Sequence, residues 1–255
     1  VTFTPEDVEY DTVTWTSSNP EVATVLNGKI TALKPGVTTI TAATGINGDV
    51  TATCDVTVRR PEFSLTGDWS IIRSDPENWK LNGENSITIT TKPGEYYSNT
   101  ANAENVFLTP VEGDFTATTK LTFVPGADYQ TAGIIVYQDD KNLYGAYKRY
   151  HSHFNGNIFT DFALNNGSAS EHTKADPNKD AAVYLKVVKE GTTFTAYYSY
   201  DNSEWVQIAD PLNVSGLTGD LKVGLYAVDG NGKSGSLPAT FEDFTINGEA
   251  VPFAN

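Results

Sequence analysis

Tyr147, Arg149 and His151 recur at every second position of one stretch, QTAGIIVYQDDKNLYGAYKRYHSHF, residues 130–154. On an extended strand that spacing puts all three on one face. Rings stack on the apolar faces of a sugar, and arginine and histidine hold its hydroxyls. Tyr137, on the strand before, is a further ring for the same surface, and Trp79 a ring for its rim. Arg149 is the strongest polar candidate, because its planar fork bridges adjacent hydroxyls or a carboxylate. A surface salt bridge to Asp128, Asp139 or Asp161 is its competing use. Gln130 is a second polar candidate, with Asp128 and Arg73 behind it. His151 and His153 lie two apart and form half of a possible metal site. The remaining histidine is His172 and the single cysteine is Cys54, so zinc would need carboxylates to complete its shell. GxSxG, HExxH and P-loop patterns do not occur. Tyr147, Arg149 and His151 together also fit a polysaccharide lyase, and a glycosidase pair of carboxylates stays open.

Two strands must position these groups, 132–138 and 142–153, joined by the polar turn Asp139-Asp140-Lys141. Alternation puts Ile134 and Val136 on one face and Ile135 and Tyr137 on the other. In the second strand Tyr144, Ala146, Lys148 and Tyr150 oppose Leu143, Gly145, Tyr147, Arg149 and His151. Further strands are expected at 69–74, 86–91, 105–108, 115–124, 157–164, 181–190, 192–199, 205–209, 221–227 and 239–246. Helical periodicity is lacking throughout. Asn165-Asn166-Gly167 reads as an exposed loop. Trp69 reads as core, and Trp205 as folded onto its own hairpin behind the turn Asp201-Asn202.

The composition agrees with an all-β chain. Only 19% of the 255 residues are charged, and the sequence is rich in Gly, Thr, Tyr and Asn. That length suggests about two domains. The net charge of −15 disfavours nucleic acid and anionic membrane surfaces, both of which reward basic patches. It suits neutral substrates, bound calcium and an extracellular setting. One cysteine excludes an intramolecular disulfide. Apolar runs fall short of the ~20 residues that span a bilayer, so no membrane insertion is expected. The chain opens without a signal-peptide pattern. Val1 reads as mid-domain sequence, as in a piece of a longer protein.

Residues 1–60 alternate with period two between turn signals. Val13 and Trp15 alternate with threonines. Asn27-Gly28 is the strongest hairpin cue in the chain, and Lys34-Pro35-Gly36 precedes a strand at 38–43. A last strand at 50–58 carries Cys54, read as a small buried apolar residue. Trp15 reads as core. VTWTSSNPEVATV, NGKITALKPGVTTITA and ATCDVTV resemble the group 2 bacterial immunoglobulin-like domains. The resemblance implies a small Ig-like β-sandwich serving as a spacer or adhesion module, here truncated at its N-terminus. Arg59-Arg60-Pro61 ends it.

Residues 62–255 form the second expected domain. GDWSIIRSDPENWKLNGENSITITTKPGEYY, NVFLTPVEGDFTATTKLTF, QTAGIIVYQDDKNLYGAYKRY and ATFEDFTI, in that order, resemble the C-terminal module of family 43 glycoside hydrolases. The resemblance implies a concanavalin/laminin G-like jelly-roll β-sandwich found beside secreted carbohydrases. Its expected role is non-catalytic carbohydrate binding, with xylan, arabinan or fructan as ligand. Its expected partner is a catalytic domain in the same polypeptide. A structural or adhesion role without sugar binding is the alternative. The resemblance also implies a structural calcium ion. Asp243 is the expected ligand, because Glu242 and Asp243 lie on opposite strand faces and one must turn inward. Asp68 and Glu62 would complete its shell.

Overall fold

The structure is a computed structural model. It describes residues 13–44, 50–59, 63–96, 102–154, 156–230, 232 and 235–255. The chain divides into two units, Val1–Glu62 and Phe63–Asn255. The calcium ligand expected at Glu62 lies outside the described residues.

In the first unit β1 (Thr14–Ser17), β4 (Gly36–Thr44) and β5 (Val50–Val58) form one antiparallel sheet, and β2 (Ala23–Leu26) pairs with β3 (Lys29–Ala32). The β2–β3 turn is Asn27-Gly28, with φ of 51° and 79°. Two successive left-handed residues match the right-handed twist of a hairpin, and Asn-Gly adopts them with little strain. The ring of Trp15 lies against Gly28, where a Cβ would come 3.1 Å from it. Trp15 is half-buried, and Val22, Ala23 and Ile40 are buried. Cys54 differs from expectation. It is exposed, because the pattern along β5 leaves both faces of its middle largely open among the described residues.

The second unit contains, in chain order, β6 (Ser70–Ile72), β7 (Trp79–Gly83), β8 (Ser86–Thr90), β9 (Lys92–Pro93), β10 (Val106–Val111) and β11 (Phe115–Thr122). There follow β12 (Gln130–Asp139), β13 (Asn142–His151), β14 (Gly156–Asn165), β15 (Ser168–Ala175), β16 (Val183–Glu190) and β17 (Thr193–Ser199). The last are β18 (Val206–Gln207), β19 (Leu212–Asn213), β20 (Leu221–Asp229), β21 (Pro238–Ile246) and β22 (Glu249–Ala250). They build two sheets. One is eight-stranded, in the order β15-β14-β13-β12-β20-β10-β6, with β9 parallel to β20. The other is nine-stranded, in the order β18-β17-β16-β11-β21-β8-β7, with β19 and β22 at its margins. Large apolar side chains of both sheets meet between them: Ile134, Val136, Tyr144 and Phe159 from one, Leu121, Val187, Phe194 and Phe241 from the other. Trp69 is in this core, with its indole N–H donating to the Pro252 carbonyl at 3.0 Å.

β15 was not legible as a strand. Its sequence SASEHTKA is polar and nearly all exposed, as an edge strand can be. Asn166-Gly167 forms its left-handed hairpin turn rather than a free loop. Trp79 also differs from expectation. It packs edge-on against Phe107 with centroids 5.2 Å apart, and it belongs with the sandwich core instead of a binding rim.

The central strands of the eight-stranded sheet, β12, β13, β14 and β20, are largely buried on both faces. On the face turned away from the core, Ile135, Leu143, Tyr147, Phe162, Leu164 and Tyr226 form a second apolar cluster under Tyr96 and Ala103. Lys148, next to Tyr147 but on the core face, is fully buried. Its ammonium pairs with buried Asp176 at 3.1 Å and donates to the carbonyls of Lys179 at 2.7 Å and Ala181 at 3.3 Å. Desolvation pulls that lysine below its usual range, against the pull of Asp176.

Candidate functional site: a tyrosine-walled cavity on the outer sheet face

Register explains how the site is built. Tyr147, Gly133 and Tyr226 stand opposite one another on β13, β12 and β20. A Cβ at Gly133 would come within 2.2 Å of the Ala146 carbonyl oxygen and 2.5 Å of the Tyr147 Cα. Glycine therefore leaves space between two tyrosines, whose rings meet edge-to-face with centroids 5.9 Å apart. The next row is Arg149, Thr131 and Val228. Beyond it come His151, Tyr129 and Gly230. These three rows, Gly133 excepted, line a cavity of about 500 Å3 with Phe162 from β14, Glu171 from β15 and Gly94, Glu95 and Tyr96.

Arg149 is the polar centre. Its guanidinium donates to Glu171 Oε1 at 2.6 Å, to the Tyr147 hydroxyl at 2.8 Å and to Thr131 Oγ1 at 3.3 Å. Of its five N–H donors, two remain. The guanidinium lies over the Tyr147 ring, 4.9 Å from its centroid. Burial alone would lower its pKa, but Tyr147 and Glu171 overcome this and hold it above the ordinary arginine value. The arginine and Glu171 side chains stay 14% and 29% exposed. The cavity floor thus offers a cationic donor fork beside an anionic acceptor, with no net charge between them.

Tyr96 closes one end. Its ring packs against Tyr226 and Tyr137, with centroids 6.0 and 6.4 Å away. Arg73 donates to the Tyr96 hydroxyl at 2.9 Å and to the Ala103 carbonyl at 2.6 Å, and it pairs with Asp140 at 3.3 Å. Tyr137 donates to the same Asp140 at 3.0 Å. Desolvation pushes the Tyr96 and Tyr137 hydroxyls above the ordinary phenol range, so both remain protonated donors at neutral pH.

The opposite end is an open rim. Tyr129 has φ of 69°, unusual for a bulky residue. The conformation is held from both sides. The Tyr129 N–H donates to the Tyr150 carbonyl, and its own carbonyl accepts from Gly230 N–H and Thr131 Oγ1. Tyr129 is 42% exposed and Phe154 52% exposed. The His151 ring joins them, 5.0 Å from Tyr129 and 5.3 Å from Phe154. Asp128 caps Ser152 through the backbone N–H and the hydroxyl, which fixes the segment carrying Phe154. Strained, over-determined backbone of this kind concentrates at functional sites.

Of the residues singled out in the sequence, the cavity brings together Tyr147, Arg149 and His151. Tyr147 is only 2% exposed and capped by Arg149, so its ring supports the arginine instead of presenting a stacking face. Tyr137 stands in the end wall, outside the cavity. Gln130 is buried elsewhere. Its Oε1 accepts from Gly126 and Ala127 N–H, and its amide donates to the Gly235 carbonyl. Arg149 pairs with Glu171, not with Asp128, Asp139 or Asp161. Sequence reasoning missed Glu171, Tyr226, Tyr96, Phe162 and Tyr129. The period-two run GLYAVD around Tyr226 and the hairpin cue Asn166-Gly167 ahead of Glu171 are the signals that could have found two of them.

The expected calcium ligands do not form a carboxylate cage. Asp68 and Asp243 are exposed, and the neighbouring Glu242 is paired with Lys120 at 3.0 Å. Asp243 takes φ of 52°, with its N–H donating to the Asn85 carbonyl. Among the described residues no three of His, Cys, Asp and Glu come together in a metal-holding group, whereas calcium takes 6–8 oxygens. Asp68 and Asp243 alone do not make up such a shell. His151 and His153 approach at 5.1 Å between ring centroids, likewise without a third ligand.

Residues 61–247 match the β-xylosidase C-terminal concanavalin A-like domain, which takes in the whole cavity. The chain belongs to this family. Residues 1–54 match the group 2 bacterial Ig-like domain. Among solved structures, the chain resembles the GH43 protein BlXynB from Bacillus licheniformis. The TM-score is 0.63 at 17% identity, over 83% of this chain and 51% of that one. A xylan β-1,4-xylosidase from Bacillus halodurans gives 0.55 at 13% identity, over 90% and 55%. A functionally unknown protein from Saccharomyces cerevisiae gives 0.58 at 19% identity, over 70% of this chain and 95% of that one. At such identities the likeness is one of fold. An uncharacterized protein of Clostridium acetobutylicum is 47% identical over 63 residues, 24% of this chain and 6% of that protein. A second from the same organism is 47% identical over 58 residues, 22% and 15%. The chain thus spans a small part of its curated relatives and about half of BlXynB and of the Bacillus halodurans xylosidase.

Proposed function

We propose that the concanavalin-like domain is a non-catalytic carbohydrate-binding module, with the Ig-like unit as its spacer, in a secreted bacterial polysaccharide-degrading enzyme. The observation that carries this reading is the Arg149–Glu171 pair on the floor of an aromatic cavity. A vicinal diol matches such a pair, one hydroxyl accepting from the guanidinium while its neighbour donates to the carboxylate. Tyr129, Tyr226, Phe162 and Tyr96 supply apolar surface for the ring. A neutral pair favours a neutral sugar, in keeping with xylan, arabinan or fructan. The partner catalytic domain would lie elsewhere in the same polypeptide.

The lyase alternative fits less well. It needs a tyrosine ready to give up its proton and a cation free to neutralise a uronate. Desolvation pushes the Tyr147 phenol above its usual range, and Glu171 already neutralises Arg149.

Affinity electrophoresis in gels containing xylan, arabinan or inulin tests the proposal. Wild type should be retarded in at least one gel. Glu171→Gln and Arg149→Lys should weaken binding by roughly 10- to 150-fold, as loss of a charged hydrogen bond of about 1.5–3 kcal/mol would. Tyr147→Phe, which removes only a hydroxyl, should weaken it less. Free migration of the wild type in all three gels would overturn the reading.

A further inference from the structure

The sugar-binding outer face of a concanavalin-like sheet could hold the middle of a polysaccharide in a through-groove, or one chain end in a pocket. The two arrangements need different walls. Here the outer face is divided along the strands. The rows Leu143–Tyr137 and Gly145–Ile135–Gly224 are paired across β13, β12 and β20, but they do not line the cavity. Leu143 and Ile135 are each 1% exposed, packed in the cluster with Tyr96 and Ala103. The cavity begins only at the next row, Tyr147–Gly133–Tyr226.

The barrier between these regions is cross-braced rather than a loose flap. Tyr96 is held by Arg73, which is tied in turn to Ala103 and Asp140, while Tyr137 braces Asp140 from the other strand. Moving Tyr96 aside would break its hydrogen bond with Arg73 and its ring contacts with Tyr226 and Tyr137. Gly94 and Glu95 continue the barrier along the side next to β20. Among the described residues, the exposed rings Tyr129 and Phe154 lie at the other end, joined edge to edge through His151.

We infer that the cavity takes the terminal residue of a neutral glycan against Tyr96, with Arg149 and Glu171 on its hydroxyls. The Tyr129–His151–Phe154 rim then takes the next residue as the chain leaves. This rests on the sugar-binding reading above and adds to it the end-on mode and the order of subsites. An internal stretch would have to cross Tyr96, which the braced wall prevents.

The experiment uses the full chain with xylan, arabinan and inulin, each intact and after partial acid hydrolysis. Hydrolysis multiplies chain ends per gram without changing the sugar. Binding capacity per gram should rise in proportion to the number of ends, with the dissociation constant per end unchanged. Among purified oligomers of the retained glycan, affinity should rise from the monosaccharide to the disaccharide and level off by the trisaccharide. Phe154→Ala, at an exposed ring outside the cavity lining, should weaken disaccharide binding about tenfold and leave monosaccharide binding as it was. Capacity that follows mass and not ends, or affinity still climbing at the hexasaccharide, would overturn end-on recognition while leaving sugar binding in place. Failure to bind any intact or hydrolysed glycan would overturn both.

Discussion

Replacing Lys148 with methionine isolates the contact that anchors the site strand from beneath. Tyr147 and Arg149 occupy the outer face of β13, and Lys148 between them points into the sandwich. Methionine keeps most of the length of the side chain but removes the ammonium. Asp176 then keeps the Tyr200 hydroxyl as its remaining side-chain partner, and the carbonyls of Lys179 and Ala181 lose their donor. Both members of the ion pair are fully buried. Removing one partner of such a pair costs about 3–5 kcal/mol, chiefly through the stranded charge. For a unit of this size each kcal/mol shifts Tm by ~2–4 °C, so Lys148→Met should lower Tm by roughly 6–20 °C at pH 7. Lys148→Met with Asp176→Leu removes both charges and should recover most of that loss. A stranded buried carboxylate has a raised folded-state pKa, so its penalty is present at neutral pH and disappears as pH falls through that value. Lys148→Met should therefore regain stability relative to wild type on acidification, and the double variant should not. Scanning calorimetry from pH 4.5 to 8 reads all three. A single variant within about 1 kcal/mol of wild type, or a double variant no better than the single, would refute the argument.

Gly133→Ala should destabilise by about 1–3 kcal/mol, as overpacking does, because its Cβ meets backbone on β13 at 2.2 Å; calorimetry with gel retention should show stability and binding falling together. Asp161 is buried between Tyr144 and His172. Desolvation raises its pKa against the opposing pull of His172. A raised acid favours folding at low pH, so wild type should gain on Asp161→Asn as pH falls from 7 toward the unfolded value of ~3.9. A constant Tm difference between the two proteins, or the opposite slope, would contradict this. Calcium or a chelator should leave Tm within about 1 °C, since among the described residues the acidic groups do not gather into a cage; a larger calcium-dependent rise would show otherwise.

The alternation along 142–151 sorts its side chains correctly between core and outer face, because a strand has only two sides and core burial selects one of them. Asn27-Gly28 specifies its hairpin through local backbone preference alone. The sequence also carries both domain resemblances, which the family matches bear out. Cross-strand partnership was beyond its reach. Glu171 lies in a strand without an apolar stripe, and it meets Arg149 only because β15 pairs with β14 and β14 with β13. Gly133 reads as an ordinary strand glycine until register places it between Tyr147 and Tyr226. Gln130 and Arg149 both read as available in the chain, yet nearby loop amides claim one and a carboxylate 22 residues away claims the other. Period-two patterning is a local property of the chain. Which hydrogen-bonding groups are already satisfied depends on neighbours brought in from distant sequence, and only the assembled sheet decides it.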